Sequence, residues 1–169
     1  MNRRLEPVSE VMAGPLSILH RACFPEDPWS SMVIAEMMRV AGCFGRLAWE
    51  DEMPSGFVLA LDLRAECEIL SLGVLSERRR EGIGSALLDS VCLEGRTRGA
   101  GHIVLEVAVD NSEALALYSA RGFVPIGCRP NYYRRASRCI DALVLRLTFT
   151  GVTIKPLVTC GLRFPLALL

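Results

Sequence analysis

The sequence predicts an α/β (α+β) fold, in which a mixed and mostly antiparallel central sheet of six to seven strands carries helices on both faces. Two observations favour this class. Stretches with helical spacing alternate along the chain with short runs of strand-forming residues. In addition, 51% of the 169 residues are hydrophobic, which at this length is enough for a core without disulfides or a metal. We expect one folded domain over residues 1–149, followed by a tail of unknown role at residues 150–169.

The first half of the chain predicts two helices and then three strands. Residues 11–23 and 29–41 have helical spacing, and Pro25 and Pro28 make the segment between them a stiff loop that opens the second helix. Three strand-like runs follow this pair, with a turn at residues 50–55. They cover residues 43–49, 56–63 and 66–74.

The second half alternates again between helix and strand. A helix is predicted from the glycine turn at residues 82–84 to about Arg98, and a strand with alternating apolar side chains follows at residues 102–109. Asn111 caps the next helix, which Gly122 ends. The remaining predicted elements are a helix at residues 112–121 and strands at residues 123–128 and 139–147.

Beyond about Phe149 the pattern weakens. Pro156 and Pro165 prevent a long helix or a membrane anchor in this segment. Two interpretations stay open: a loosely packed or appended tail, or a segment that covers apolar surface or an oligomer interface. For the whole chain we expect a monomer or a weak dimer.

The charge balance and the hydrophobic content each count against one broad class of protein. The chain has 19 basic and 19 acidic residues, whereas a protein that neutralises many phosphates usually carries a positive excess. The high hydrophobic content excludes intrinsic disorder. We therefore expect a folded protein that makes no direct contact with nucleic acid.

The cysteines and the N-terminal residues favour a cytoplasmic protein. The seven cysteines are odd in number, widely scattered and without a Cys-x-x-Cys pair, so we expect reduced thiols and no metal site. The basic first residues are not followed by an apolar stretch, and no run reaches about 20 apolar residues. Neither a secretory signal nor a membrane span is expected.

The pattern Arg79-x-x-Gly82-x-Gly84 lies between a predicted strand and the start of a helix. Free backbone N–H groups and the positive end of the helix dipole converge there, and glycines let a ligand come close to the backbone. A diphosphate fits this environment. Leu87 stands where a dinucleotide fingerprint needs its third glycine, and the Gly-Lys-Ser/Thr of a Walker loop is missing. The alternative is a glycine-rich helix entry beside solvated arginines.

Residues 74–88 resemble the acyl-CoA pyrophosphate loop of the Gcn5-related N-acetyltransferase (GNAT) superfamily. Several downstream motifs resemble the same superfamily, namely Leu105-Glu106-Val107, Asn111, residues 114–118 and Gly122-Phe123. Three further pieces are similar to the ribosomal-protein-alanine N-acetyltransferase family of the RimI type. They are Cys23-Phe24-Pro25 with Pro28-Trp29-Ser30, residues 68–72, and Arg129-Pro130-Asn131-Tyr132-Tyr133.

The resemblance spans about Leu5 to Leu147 and implies a GNAT fold whose splayed central strands accept acetyl-CoA. It also implies a set of cofactor contacts, in which one strand pairs with the pantetheine arm, the turn holds the pyrophosphate and Asn111 contacts the arm. The strand residues are Leu72, Gly73 and Val74, and the turn residues are Arg79, Arg80, Glu81, Gly82, Ile83, Gly84 and Ser85. The implied acceptor is a protein N-terminus, alanine on a small-subunit ribosomal protein.

Two side chains are candidates for the proton transfers of an acetyl transfer. Glu106 lies in mid-strand on a face that an amphipathic strand does not usually give to a carboxylate, which suits a general base in a cleft. Tyr118 follows on a helix, and its phenol, with an ordinary pKa of about 10, can donate to a leaving thiolate. The resemblance implies the same base and acid. Two structural alternatives stay open: Glu106 as a solvated carboxylate on an edge strand, and Tyr118 as an aromatic residue of the core. His20 and His102 are the other possible bases, but both lie at the ends of predicted elements and outside a matching motif.

The acceptor is predicted less directly. At pH 7 about one α-amine in ten is neutral, against roughly one lysine in 2,500, so a carboxylate base suits a protein N-terminus. Candidate acceptor contacts lie in two predicted loops, with ordinary loop packing as the alternative: Asp27 and Trp29 in the first, Tyr132 and Tyr133 in the second.

Two positions depart from the family pattern on the acceptor side, and two alternatives to the implied function stay open. Ala108 stands where the family usually has Arg, and Ile140 stands where it often has an acidic residue. We expect direct attack within a ternary complex. The alternatives are an acetyltransferase for small amines or amino acids, and a CoA-binding protein that has lost turnover.

Overall fold

The computed structural model describes residues 3–135 and 138–149, and these form one seven-stranded sheet with four α-helices. In chain order the strands are β1 (Arg3–Pro7), β2 (Cys43–Glu50), β3 (Met53–Asp62), β4 (Glu66–Val74), β5 (His102–Ala108), β6 (Val124–Arg135) and β7 (Arg138–Thr148). The helices are α1 (Ala13–Cys23), α2 (Ser31–Arg39), α3 (Ile83–Thr97) and α4 (Ser112–Ser119). The predicted tail, residues 150–169, lies outside the described residues.

Among the described strands the order is β1-β2-β3-β4-β5-β7-β6, and only the β4–β5 pair is parallel. The predicted fold class is therefore confirmed. Strand β1 was not predicted because its sequence, Arg-Arg-Leu-Glu-Pro, has a single apolar side chain and no alternation. It forms because β2 offers an open edge, with Arg3 opposite Glu50 and Pro7 opposite Arg46.

The parallel pair opens part-way along its length. Pairing between β4 and β5 runs from Glu66 opposite His102 to Ile69 opposite Leu105 and then stops. Both strands nevertheless continue, β4 to Val74 and β5 to Ala108. The ends of β4 and β5 therefore diverge, which leaves a gap in the middle of the sheet.

The two faces of the sheet are covered by different helices. One core cluster joins α3 to the inner strands through Leu87, Val91, Ile103 and Leu105. The second joins α1 and α2 to β2 and β3, and its members include Leu16, Ile34 and Phe57. Since successive strand residues point to opposite faces, Glu106 points away from the α3 side on which Leu105 is buried.

Strands β6 and β7 are longer than the sequence predicted. The predicted strand at residues 123–128 continues to Arg135, so Tyr132 and Tyr133 lie on β6 and not in a loop. The prediction ended early because Pro130 interrupts the pattern. The strand accommodates this segment through a bulge, since pairing with β7 shifts between Arg129 and Tyr133.

The predicted cap of α4 is confirmed, and α2 begins two residues later than the helix predicted at residues 29–41. The side chain of Asn111 accepts a hydrogen bond from the Ala114 N–H at 3.1 Å. The Ser30 side chain accepts from the Val33 N–H at 3.2 Å, so α2 begins at Ser31 and Trp29 stays in the preceding loop. None of the helices in the described part of the chain is long and apolar enough to cross a membrane.

Candidate active site

A cavity of about 480 Å³ lies between the end of β4, the turn that follows it and helix α4. All but one of the predicted cofactor-binding residues line it. These are Leu72, Gly73, Val74, Arg79, Arg80, Gly82, Ile83, Gly84, Ser85 and Asn111. The exception is Glu81, whose backbone carbonyl accepts a hydrogen bond from Arg3. Cys23, the last residue of α1, and Phe24, which follows it, also line the cavity.

The turn before α3 presents unpaired backbone N–H groups to this cavity. Arg80 and Gly82 both have left-handed backbone angles, with φ of +67° and +81°. The first backbone hydrogen bond of the helix is from the Ala86 N–H to the Gly82 carbonyl at 3.0 Å. The amides between them have no acceptor within the helix, so the turn offers several donors to one anion.

Arginine side chains add positive charge at the same place. Arg79 lies across the cavity mouth, where its Nη1 is 3.3 Å from Glu113 Oε2 of α4 and its Nε donates to the Val74 carbonyl at 3.4 Å. Arg80 also lines the cavity, and its side chain is exposed. Free amides, arginines and a glycine backbone together fit a diphosphate.

Glu106 lies on the other side of the sheet and is held by three neighbours from β6. Its Oε2 accepts a hydrogen bond from the Tyr132 hydroxyl at 2.9 Å, and its Oε1 lies 2.9 Å from Arg129 Nε. The Tyr133 hydroxyl donates to the Glu106 backbone carbonyl at 3.1 Å. The Glu106 side chain is 15% exposed on a central strand, so it is not a solvated edge carboxylate.

The bulge in β6 places Tyr132 against this carboxylate. Asn131 has a φ of +53°, and its N–H donates to Asp141 Oδ1 of β7 at 2.8 Å. Bulges change the direction in which a strand's side chains point. The Asp141 carboxylate thereby fixes the segment from which Tyr132 reaches Glu106.

Tyr118 is buried on α4, at 6% exposure, and its ring lies 5.6 Å from that of Phe123. Burial raises the pKa of the Tyr118 hydroxyl well above its ordinary value, and the nearby Tyr133 raises it further. Tyr118 is therefore a protonated phenol throughout the neutral range. Within residues 3–135 and 138–149 its hydroxyl has no hydrogen-bond partner, and Tyr118 lies behind the cavity wall, which Ala114, Ala116 and Leu117 of the same helix line.

The first loop is fixed by a buried histidine. The Trp29 ring stacks on His20 at 4.6 Å, and the Trp29 N–H donates to His20 Nδ1 at 3.2 Å. Burial lowers the pKa of His20 to about 4, so the ring is neutral at pH 7. Trp29 is thus engaged in packing at this point, whereas Asp27 is exposed. His102 pairs with Glu66 at 2.9 Å, at the far end of the β4–β5 pair from Glu106.

Two charged residues near Glu106 were not among the sequence candidates. Arg129 is the first. It was not a candidate because the sequence does not show that a single strand, β7, separates β6 from β5. Glu68 is the second: it lies on β4 opposite Val104, on the face that carries Glu106. Burial raises the pKa of Glu68, and the charges of Glu106 and Glu66 raise it further. The sequence does contain a feature that could have identified Glu68, namely a carboxylate inside a predicted strand, as at Glu106.

Comparisons with known proteins agree with this geometry. The model of the acetyltransferase (GNAT) family matches residues 15–123. A ribosomal protein bS18-alanine N-acetyltransferase from Escherichia coli K12 is 29% identical over 120 residues, covering 71% of this chain and 80% of that protein. An N-alpha-acetyltransferase RimI from Mycobacterium tuberculosis is 41% identical over 81 residues, 48% of each chain.

Solved structures show the same fold. The crystal structure of the Escherichia coli ribosomal-protein-S18-alanine N-acetyltransferase superposes with a TM-score of 0.82 at 21% identity, covering 96% of this chain and all of that one. The Salmonella typhimurium protein yncA, solved with its cofactor acetyl-CoA, has a TM-score of 0.73 at 17% identity and covers 86% of this chain and 93% of its own.

Proposed function

Because the chain belongs to the GNAT family of acetyltransferases, whose enzymes use acetyl-CoA, we propose that it acetylates the N-terminal amine of a protein, alanine on a small-subunit ribosomal protein. The observation that carries this proposal is the carboxylate of Glu106, which Tyr132 and Arg129 hold one residue beyond the point where β4 and β5 cease to pair. The names of the bacterial relatives support alanine as the acceptor residue.

The proposed cofactor contacts follow the lining of the cavity. The amides of Gly82, Ile83, Gly84 and Ser85, with Arg79 and Arg80, would hold the diphosphate. The unpaired edge of β4 at Leu72, Gly73 and Val74 would bind the pantetheine arm, and Asn111 would contact that arm from the start of α4. When bound, acetyl-CoA supplies a thioester carbonyl as the electrophile.

Glu106 would act as the general base. As the acceptor nitrogen bonds to the acyl carbon, the carboxylate takes the amine proton, either directly or through one water. Arg129 would have to leave Glu106 when an ammonium group arrives, since both cations compete for Oε1. Its side chain is 52% exposed, so it can swing into solvent at little cost.

Tyr118 would act as the general acid. The carbon–sulfur bond breaks as the new amide forms, and the departing thiolate needs one proton. A thiol of CoA has an ordinary pKa of about 8.5, below that of a phenol, so the Tyr118 proton would move to the sulfur only while negative charge develops there, and the tyrosinate left behind would recover a proton from solvent. Since burial keeps Tyr118 protonated, the donor is in the correct state at every neutral pH.

The state of Cys23 supports direct transfer in a ternary complex. Of the described cysteines, Cys23 lines the cavity, and burial raises its pKa to about 11. The nucleophile in acyl-cysteine chemistry is the thiolate, and Cys23 is a thiol at pH 7. His20 accepts a backbone N–H on Nδ1 and has a pKa of about 4, so it is a poor base for Cys23.

A panel of acceptors tests the proposal. The protein is incubated with acetyl-CoA and with peptides that begin with Ala, Ser or Met, each with a free or a blocked N-terminus, and with small amines. Products are identified by mass. The proposal predicts acetylation of unblocked peptides, with Ala fastest. Products from the small amines alone would show that the acceptor is a small amine and not a protein N-terminus. Cofactor binding without any product would indicate a protein that binds CoA and has lost turnover.

A further inference from the structure

The first residue of β1 reaches the turn before α3 from outside the cavity. Nη2 of Arg3 donates to the backbone carbonyl of Glu81 at 2.9 Å, and Nε of the same guanidinium pairs with Oε1 of Glu50 on β2. Neither Arg3 nor Glu81 lines the cavity, whereas Gly82 does. Arg3 therefore contacts the turn on the side opposite the one that faces a ligand.

The peptide bond between Glu81 and Gly82 transmits this contact. A trans peptide is planar, and its C=O and N–H point in opposite directions. When Arg3 binds the Glu81 carbonyl on the outer side, the Gly82 N–H of the same peptide points towards the cavity. Arg3 thus sets the direction of one of the donors that face the diphosphate.

The turn needs such an anchor. Arg80 and Gly82, on either side of Glu81, both have positive φ, and Arg80 is not a residue that favours this conformation. Glycine at position 82 leaves the peptide free to rotate, because no Cβ restricts it. A hydrogen bond to the Glu81 carbonyl selects one of the peptide's orientations.

Glu50 fixes Arg3 in turn. The Glu50 side chain is 1% exposed, and in the described part of the chain its Oε2 has no hydrogen-bond partner. The guanidinium of Arg3 is therefore what compensates the buried carboxylate, and moving it away would leave a charge without a partner. This keeps Arg3 at the turn.

We propose that Arg3, held by Glu50, is a positioning residue for cofactor binding that orients the Gly82 N–H towards the diphosphate of CoA. The inference rests on the use of acetyl-CoA and is independent of the acceptor. It predicts an effect on ligands that contain the diphosphate and no effect on the pantetheine arm.

The test measures binding of CoA, of dephospho-CoA, which lacks the 3′-phosphate, and of pantetheine, which lacks the diphosphate together with the adenosine and its 3′-phosphate. Calorimetry gives Kd for the first two, and displacement of CoA gives it for pantetheine. For Arg3→Gln we expect Kd to rise roughly tenfold for CoA and for dephospho-CoA alike, and to stay unchanged for pantetheine.

Two further variants keep the result interpretable. Arg3→Gln leaves the Glu50 carboxylate buried alone, so Arg3→Gln with Glu50→Gln removes both charges and is measured if the single variant does not fold. Arg4→Gln is the matched control, because Arg4 is the next residue of β1 and pairs with Glu52 in solvent.

Three results would overturn the proposal. Unchanged Kd values for CoA would remove Arg3 from cofactor binding. An effect on CoA that disappears with dephospho-CoA would mean that Arg3 contacts the 3′-phosphate directly. An equal loss for all three ligands would mean that the variant disturbs the fold in general.

Discussion

Arg129 Nε lies 2.9 Å from Glu106 Oε1, although β7 separates their strands. The register brings the two side chains into neighbouring rows: Glu106 pairs with Val144, while Ala108, two residues further along β5, pairs with Ala142, which pairs with Arg129. Ala108 stands where the resemblance to the family implies an arginine. Arg129 brings a positive charge to the same region from β6.

Removal of Arg129 should make the acceptor bind more tightly. In Arg129→Gln the carboxylate of Glu106 no longer pairs with a guanidinium, and an arriving ammonium meets no competing cation. We expect KM for an unblocked peptide to fall about fivefold, corresponding to roughly 1 kcal/mol after screening, while KM for acetyl-CoA is unchanged. Arg134→Gln, which removes an exposed charge from the same strand, is the control. A higher peptide KM in Arg129→Gln would mean that Arg129 binds the acceptor.

Removal of the Tyr118 hydroxyl should slow the chemical step without weakening cofactor binding. Tyr118→Phe keeps the ring that packs on Phe123 and loses only the proton donor. We expect kcat to fall roughly 100-fold, with Kd for CoA unchanged, because general acid catalysis contributes on that scale. Tyr133→Phe serves as a comparison, since its hydroxyl donates to the backbone carbonyl of Glu106. Near-normal turnover in Tyr118→Phe would exclude Tyr118 as the acid.

The buried His20 should make the folded state sensitive to acid. Its pKa is about 4 in the folded protein and about 6.5 when unfolded, so the unfolded state binds the proton more readily. The stability that depends on neutral His20 is complete above about pH 6.5 and is lost as pH falls from there towards 4, by roughly 3 kcal/mol.

Thermal unfolding between pH 7 and pH 4.5 checks this expectation. His20→Gln removes the titrating group, and the Gln side chain can still accept the Trp29 N–H. The fall of Tm with decreasing pH should therefore be shallower in the variant than in the unsubstituted protein. Parallel pH profiles for the two proteins would show that His20 does not titrate with unfolding.

The sequence predicted local structure and the cofactor turn better than it predicted the acceptor side. Helix caps such as Asn111 and the Arg79-x-x-Gly82-x-Gly84 turn depend on neighbours within a few residues, so spacing alone reveals them. Strand β1 depends on an edge supplied by β2, and its own residues carry no pattern.

The contacts around Glu106 depend on tertiary structure. Tyr132 reaches Glu106 only because Asp141, on another strand, holds the bulge at Asn131. Arg129 reaches it from β6, where it pairs with Ala142 of β7, which in turn pairs with Ala108 of β5. Strand order and register set both contacts, and neither can be obtained from the spacing of residues along the chain.

The position of the acetyl group in the product tests the central claim most directly. A peptide that begins with alanine and contains one internal lysine is incubated with acetyl-CoA and either the unsubstituted protein or Glu106→Gln. Tandem mass spectrometry then locates the acetyl group. We predict acetylation of the alanine α-amine alone, at a rate that falls roughly 100-fold or more in Glu106→Gln. Acetyl groups on the lysine side chain alone, or an unchanged rate in Glu106→Gln, would contradict the account.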